Sequence, residues 1–204
     1  MGINDNNCNK WKRIGGKYKM GKSFFISDLH FGHKNVIRFD SRPFDTIEEM
    51  DNELIKRWNE QVTNADTVYI LGDISWYNLV ETKKILYQLK GKKILIQGNH
   101  DKIVRDPEAK KIFIEIVPYK EIYINNHLVV LSHYPIMCWN QRMRGSIHLY
   151  GHVHNTPTSD IVESYKQTEI YKNHNCCEMY NVGCMMSYMN YTPQTLDTIL
   201  QYTK

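Results

Sequence analysis

No stretch of this chain approaches the roughly 20 consecutive apolar residues that a membrane-spanning helix needs, so no bilayer-embedded segment is expected. The first 22 residues carry positive charge but no apolar core, and so do not read as a secretory leader. Cysteine is scarce. Cys8, Cys138, Cys176, Cys177 and Cys184 make an odd number without scaffold-like spacing, and adjacent Cys176 and Cys177 are poorly placed to bridge each other. That pattern excludes a disulfide framework and leads us to expect free thiols in a reducing cytoplasm. A dominant charge is missing too: 26 Lys plus Arg face 22 Asp plus Glu, for a net +4 spread along the chain. So mild an excess suits an anionic substrate without requiring nucleic acid.

Repeats, low-complexity blocks and dividing linkers are likewise lacking. A chain of 204 residues, 42% hydrophobic and 12% aromatic, is then read as one folded domain over residues 23–204, preceded by a flexible extension over 1–22. Met20-Gly-Lys-Ser, directly before an apolar strand, looks like a natural chain start and marks Met20 as a candidate first residue.

From Ser23 onward, strands and helices alternate. Phe24-Phe25-Ile26 forms a short apolar strand leading into Ser27-Asp28-Leu29-His30. Thr46, with Glu49 three residues later, opens a helix to about Val62 whose Ile47, Met50, Leu54, Ile55 and Trp58 share one face. Thr67 to Leu71 and Lys93 to Gln97 are further strands, separated by a helix over Asn78 to Leu89. A short helical stretch is expected near Pro107, then a hairpin of Glu121 to Ile124 and Leu128 to Leu131 around Asn125-Asn126-His127. Ile147 to Tyr150 and Glu178 to Val182 complete the strands, and Thr195 to Tyr202 is a closing helix.

Five of these strands run into clusters of Asp, His and Asn. Ligands of α/β sheets gather beyond the carboxyl ends of strands, so the clusters should meet in one cleft. Asp28-x-His30 and His152-x-His154 each pair two ligand-type residues at a two-residue step, which in extended chain puts both side chains on one side. Asp73, Asn99 and His133 lie just past strands between them. Carboxylate, imidazole and amide oxygen suit manganese, iron, zinc or magnesium, with manganese the first choice. The absence of thiolate argues against a structural zinc knot. Seven ligands exceed what one catalytic ion with an open position can use, whereas two ions sharing a carboxylate account for them.

Taken in order, Asp28-x-His30, Gly72-Asp73, Gly98-Asn99-His100-Asp101, His133 and Gly151-His152-x-His154 resemble the signature of the calcineurin-like metallophosphoesterases, over about Ser23 to His154. The run from Asp28 to Asn35, Arg42-Pro43-Phe44 and the Tyr191-Thr192-Pro193 ending look like a compact bacterial and bacteriophage branch. The resemblance implies an α/β fold of two packed sheets flanked by helices. It implies that Asp28, His30 and His154 hold one divalent ion, that Asn99, His133 and His152 hold another, and that Asp73 bridges them. Such an enzyme hydrolyses a phosphomonoester or phosphodiester with hydroxide shared by the two cations. His100 would contact the phosphate or protonate the leaving oxygen, a role worth about 10²- to 10⁴-fold. Asp101 would orient His100 or the nearby loop.

Other residues have plainer readings beside the functional ones. His33 either touches substrate or supports His30, with support the default. Arg38, Arg42, Arg142 and Arg144 can clamp phosphate, with Arg144 first among them, although a solvated surface charge is the default for each. Tyr134 and Trp139 can stack on a base or pack at the rim. His127, His148 and His174 read as ordinary. The substrate is a phosphoester, with nucleotides and nucleic acid among the candidates. The rival readings are a silent binding scaffold on the same fold and a dinuclear hydrolase of amide or ester bonds.

Overall fold

Short apolar strands and one-sided helices recur in the computed structural model, which describes residues 21–168, 171 and 178–202. One sheet contains β1 (Ser23–Ile26), β2 (Thr67–Ile70), β3 (Lys92–Ile96), β4 (Phe113–Val117) and the two-residue β9 (Gln194–Thr195), in the order β4-β3-β2-β1-β9. Its first four strands are parallel and β9 is antiparallel to β1. The other sheet orders β5 (Tyr119–Ile124), β6 (His127–Ser132), β7 (Ile147–Tyr150) and β8 (Glu178–Asn181) in sequence. There β5 and β6 form an antiparallel hairpin, while β6, β7 and β8 run parallel.

Strand alternation shows how the sheets pack. On β6, Val129 and Leu131 enter the same core as Ile26, Ile70 and Leu95 of the first sheet. Val130 points the opposite way, into a second cluster with Tyr150 and with Val162 of α5 (Pro157–Lys166). The main core continues through Met50, Leu54 and Trp58 of α2 (Ile47–Gln61) and through Ile85 and Leu86 of α3 (Leu79–Gln88). The result is the expected α/β architecture, two sheets face to face with helices outside. Helix α2 starts where its cap demands: the Glu49 N–H donates to the Thr46 hydroxyl at 3.1 Å, and the Glu49 carboxylate accepts from the Asp45 N–H at 2.8 Å.

Several elements depart from the sequence expectation. The hairpin turn contains only Asn125 (φ 49°) and Asn126 (φ 67°), and His127 is already the first residue of β6, paired with Ile124. Two successive left-handed residues make the turn that matches strand twist, and Asn tolerates them. β4 was not expected, because α4 (Ala109–Ile112) runs into it with no turn residue between. Helix α1 (Lys34–Phe39) is too short to display a period. Thr195 belongs to β9, so the last helix, α6, spans Leu196–Tyr202.

Among the described residues, no helix is long and apolar enough to cross a membrane. Residues 1–20 of the expected 1–22 extension, the candidate start at Met20, and Cys8, His174, Cys176 and Cys177 fall outside the described residues.

Candidate metal centre

Loops leaving the carboxyl ends of β1, β2, β3, β6 and β7 converge, and backbone hydrogen bonds sew them together. Just past β1, the Asp28 N–H donates to Gly72 O at 3.1 Å and the His30 N–H to Asp73 O at 3.0 Å. Ser27 joins the two sheets, donating to Val182 O at 2.8 Å and accepting from the Cys184 N–H at 2.9 Å. The Gly151 N–H donates to His133 O at 2.9 Å, tying the β6 loop to the β7 loop. Glycine is required where these loops touch. Gly72 has φ +88°, and a Cβ there would lie 2.5 Å from His133 Nδ1; one on Gly151 would lie 2.5 Å from the Asp28 carboxylate.

The two-residue spacings place these side chains near one another, but not through the extended backbone expected of them. Asp28 (φ 56°), His30 (φ 52°), His152 (φ 72°) and His154 (φ 47°) are not extended; all are left-handed, as is Asp73 (φ 55°). Each such non-glycine residue costs of the order of 1 kcal/mol or more, so the surrounding contacts must impose it. Asp101 is one source of that constraint. Its buried carboxylate accepts from the backbone N–H groups of Asp73 (3.1 Å), Ile74 (2.9 Å) and Gly98 (2.7 Å). Of its two expected roles, these contacts are with the loops.

Two groups of donor atoms result, one of Asp28, His30 and His154, the other of Asp73, His133 and His152. In the first, His30 Nε2 and His154 Nε2 are 3.1 Å apart, and Asp28 Oδ1 lies 3.5 Å from His154 Nε2 and 3.9 Å from His30 Nε2. In the second, His133 Nε2 sits 3.0 Å from Asn99 Oδ1 and 3.6 Å from Asp73 Oδ2. The groups meet at Asp73. Its Oδ2 is also 3.8 Å from His30 Nε2, while its Oδ1 accepts from the His100 N–H at 2.9 Å.

The chemistry of these atoms fits cations. Asp28 uses Oδ2 to accept from the His152 N–H at 3.0 Å, whereas its Oδ1 is buried without a hydrogen bond. A buried orphan oxygen is expensive unless something positive satisfies it. His133 Nδ1 donates to Leu71 O at 2.7 Å, and His154 Nδ1 donates to the Asp40 carboxylate at 2.9 and 3.0 Å. With Nδ1 so engaged, Nε2 is the nitrogen of each ring that faces the site, with another acceptor-type atom about 3 Å away in both cases. Ligands about 2.1 Å from a shared ion at right angles are about 3 Å apart.

Burial and charge tune the protonation states. Burial would raise the Asp28 carboxyl, but His154, with His133 and His30, holds it well below the usual carboxylate range. Desolvation lowers His30 to about 3, keeping it a neutral imidazole. Burial opposes charge on His154 as well, yet Asp28 and Asp40 raise it to about 10, marking a position that attracts positive charge. Burial raises Asp101 despite its three N–H partners.

Around this core the expected secondary residues fare unequally. His33 stacks on Trp76, with centroids 4.2 Å apart and planes at 11°, and its ring is 5.5 Å from that of His30. His100 packs on Trp76 at 4.4 Å and lies 6.1 Å from the His30 ring. Tyr134 is exposed beside His152 (4.6 Å) and His133 (5.0 Å). Trp139 is buried, donating to Ser146 Oγ at 2.9 Å, and so is core rather than platform. His148 is buried too, accepting from the Ile136 N–H at 3.0 Å and donating to Val130 O at 3.1 Å, a structural residue as expected.

The arginines need one correction. Arg42 is neither a surface charge nor open to a phosphate: it is 4% exposed, paired with Asp40, and donates to the carbonyls of Leu29 and Asp28. Arg38 is exposed over Phe39, and Arg142 is engaged with Tyr165 and with Met137 O. Arg144 is exposed in the 3-10 turn Arg142–Arg144, and among the described residues its side chain makes no hydrogen bond or ion pair. Asp40 and Trp76 escaped the sequence reading altogether. Asp40 sits 114 positions from His154, and no local pattern announces that pairing. Trp76 could have been suspected from its place three residues after Asp73.

Residues 22–175 match the family described as calcineurin-like phosphoesterase, and the chain belongs to that family of phosphoester hydrolases. An uncharacterised protein of Methanocaldococcus jannaschii is 30% identical over 184 residues, covering 89% of this chain and 91% of that one. The gene 66 protein of Mycobacterium phage L5 is 32% identical over 166 residues, covering 66% of this chain and 78% of its own length. A crystal structure of a protein of unknown function from Aquifex aeolicus superposes with TM-score 0.65 at 26% identity, covering 89% of this chain and 99% of that one.

Proposed function

We propose that this protein hydrolyses phosphoesters with two divalent cations, manganese being the first to try. Asp28, His30 and His154 would hold one ion, Asn99, His133 and His152 the other, and Asp73 both. The observation that carries this reading is the placement of Asp73 Oδ2, 3.8 Å from His30 Nε2 in one donor group and 3.6 Å from His133 Nε2 in the other. Bound cations of this kind acidify water to supply a nucleophile at neutral pH and neutralise charge building on phosphoryl oxygens.

The chain's own groups do the rest. His100 stands at the mouth, half-exposed, with its backbone fixed by Asp73 and its ring by Trp76. From there it can reach a bound phosphate and hand a proton to the departing oxygen. Asp101 keeps the Asp73 and Gly98 loops in register and acts through them rather than on substrate. His33 stands behind Trp76, in a supporting role. Trp76 and Tyr134, both partly exposed beside the donor groups, offer aromatic surface to a base or aryl ring on the substrate. Arg144 has no contact that draws it to this site. Free Cys138 and Cys184 suit a reducing compartment such as the cytoplasm.

The test is metal analysis of the purified chain alongside assays on p-nitrophenyl phosphate and bis-p-nitrophenyl phosphate with added Mn²⁺, using Asp73→Asn as the blank. Two ions per chain and turnover that vanishes in the blank support the proposal. Two bound ions with no turnover on any mono-, di- or cyclic phosphoester would favour a silent binding scaffold.

A further inference from the structure

Arg42 and Asp40 form a buried ion pair whose side chains are 0% and 1% exposed. Burying two charges carries a desolvation penalty that the pair's own attraction often fails to offset, so such a pair is weak grounds for stability and stronger grounds for a positional task. Its contacts identify the task. Asp40 takes the His154 Nδ1–H at 2.9 and 3.0 Å on its two oxygens. Arg42 grips Asp40 Oδ2 with Nε at 3.1 Å and Nη2 at 3.0 Å. The same guanidinium donates from Nη1 to Leu29 O at 2.9 Å and from Nη2 to Asp28 O at 2.8 Å. One planar fork therefore ties the loop of Asp28 and His30 to the carboxylate that holds His154, and through that carboxylate to a segment 114 positions further along the chain. Ser41, left-handed at φ 50°, turns the chain so that Asp40 and Arg42 face the same place.

We infer that Asp40 and Arg42 are positioning residues that set how tightly the Asp28–His30–His154 group holds its cation. This rests on the dinuclear reading above and adds to it two residues outside the five ligand-bearing blocks. Asp40 engages His154 through Nδ1–H, so that Nε2 is the nitrogen turned to the site and the one that would bind a cation, and the carboxylate's charge strengthens it as a donor. Arg42 holds Asp40 in place and braces the left-handed Asp28 backbone through its carbonyl. Among the described residues the other group has no such charged counterpart: His133 Nδ1 donates to the neutral carbonyl of Leu71. Lysine could not replace Arg42, because a single ammonium cannot span an ion pair and two carbonyls in one plane.

The experiment is Mn²⁺ binding by competition with a chromophoric chelator, on wild type, Asp40→Asn and Arg42→Lys, with turnover measured across a Mn²⁺ series. Wild type should bind two ions. Asp40→Asn should weaken one of them about 10- to 100-fold and leave the other unchanged. Arg42→Lys should do the same to a smaller degree, and excess Mn²⁺ should restore most of the turnover of both. Circular dichroism of the metal-free proteins identifies any variant that fails to fold, and Asp40→Asn, nearly isosteric, decides the matter if Arg42→Lys does not fold. Two ions bound with wild-type affinity by Asp40→Asn, or lost turnover that excess Mn²⁺ does not move, would overturn the inference and leave the dinuclear reading standing. A wild-type protein that binds no cation would overturn both.

Discussion

The two donor groups differ in kind although they share Asp73. The group of Asp28, His30 and His154 is deeply set and charged: Asp28 is 0% and His30 4% exposed, and the Asp40–Arg42 pair stands behind it. The group of His133, His152 and Asn99 opens to solvent on one side, with His133 0% exposed but Asn99 exposed and His152 half-exposed, and apart from the shared Asp73 it contains no carboxylate. A dry, anionic socket favours a firmly held cation, because charge interactions strengthen as water is excluded. An open, neutral one leaves room for an incoming phosphate. The contrast suggests a division between holding metal and meeting substrate.

Replacing what the two groups share should have the largest effect. Asp73→Asn removes the carboxylate common to both, and turnover should fall by at least about 10³-fold with fewer than two Mn²⁺ per chain by atomic emission. Full metal content in that variant would break the assignment of Asp73 as the shared ligand. Next comes His100→Ala, which removes a side chain that belongs to neither donor group and keeps the backbone N–H bonded to Asp73. It should keep both ions while slowing hydrolysis by about 10²- to 10⁴-fold, most for poor leaving groups; an unchanged rate on alkyl phosphates would remove His100 from the mechanism.

A charge exchange sharpens the contrast directly. Asn99→Asp makes the open group anionic, and its affinity for Mn²⁺ should rise by about tenfold, the size of a Coulomb interaction of roughly 1.4 kcal/mol. No rise in a chelator competition would mean that charge does not separate the two groups.

The smallest effect belongs to a histidine outside both. Desolvation lowers buried His148 to about 4, against 6.5 for the free imidazole. Between these values the unfolded chain takes up a proton that the folded chain refuses, so stability falls as pH drops from about 6.5 to 4. This one group accounts for about 3 kcal/mol at most. His148→Phe should flatten that part of the pH–stability curve while losing about 1–3 kcal/mol at pH 7 from the two broken hydrogen bonds. Urea unfolding in the presence of a chelator at both pH values would test it, and an equal pH slope in the variant would refute the assignment.

Much of this molecule could be read along the chain. The cap at Thr46, the apolar face of α2, β7 over Ile147–Tyr150 and the hairpin at Asn125-Asn126, though not the place of His127 in it, all follow from patterns a few residues long. So did the list of residues the structure brings together, since each candidate ligand lies just beyond a strand. Asp28 and His30 do not follow the extended backbone their spacing leads one to expect, because the loops impose left-handed φ on both. The burial of Arg42 does not follow from its neighbours, because Asp40-Ser41-Arg42 reads as a short polar turn.

What the sequence by itself determined is therefore local and periodic: element types, caps, turn chemistry, and which side chains can bind a cation or move a proton. Only the tertiary structure decided that Asp73 stands between the donor groups, that Asp101 binds three backbone N–H groups, and that Asp40 pairs with His154 across 114 positions. Periodicity is set by neighbours in the chain and can be read from them. Burial and long-range pairing are set by how the two sheets close on each other, which no short run of residues encodes.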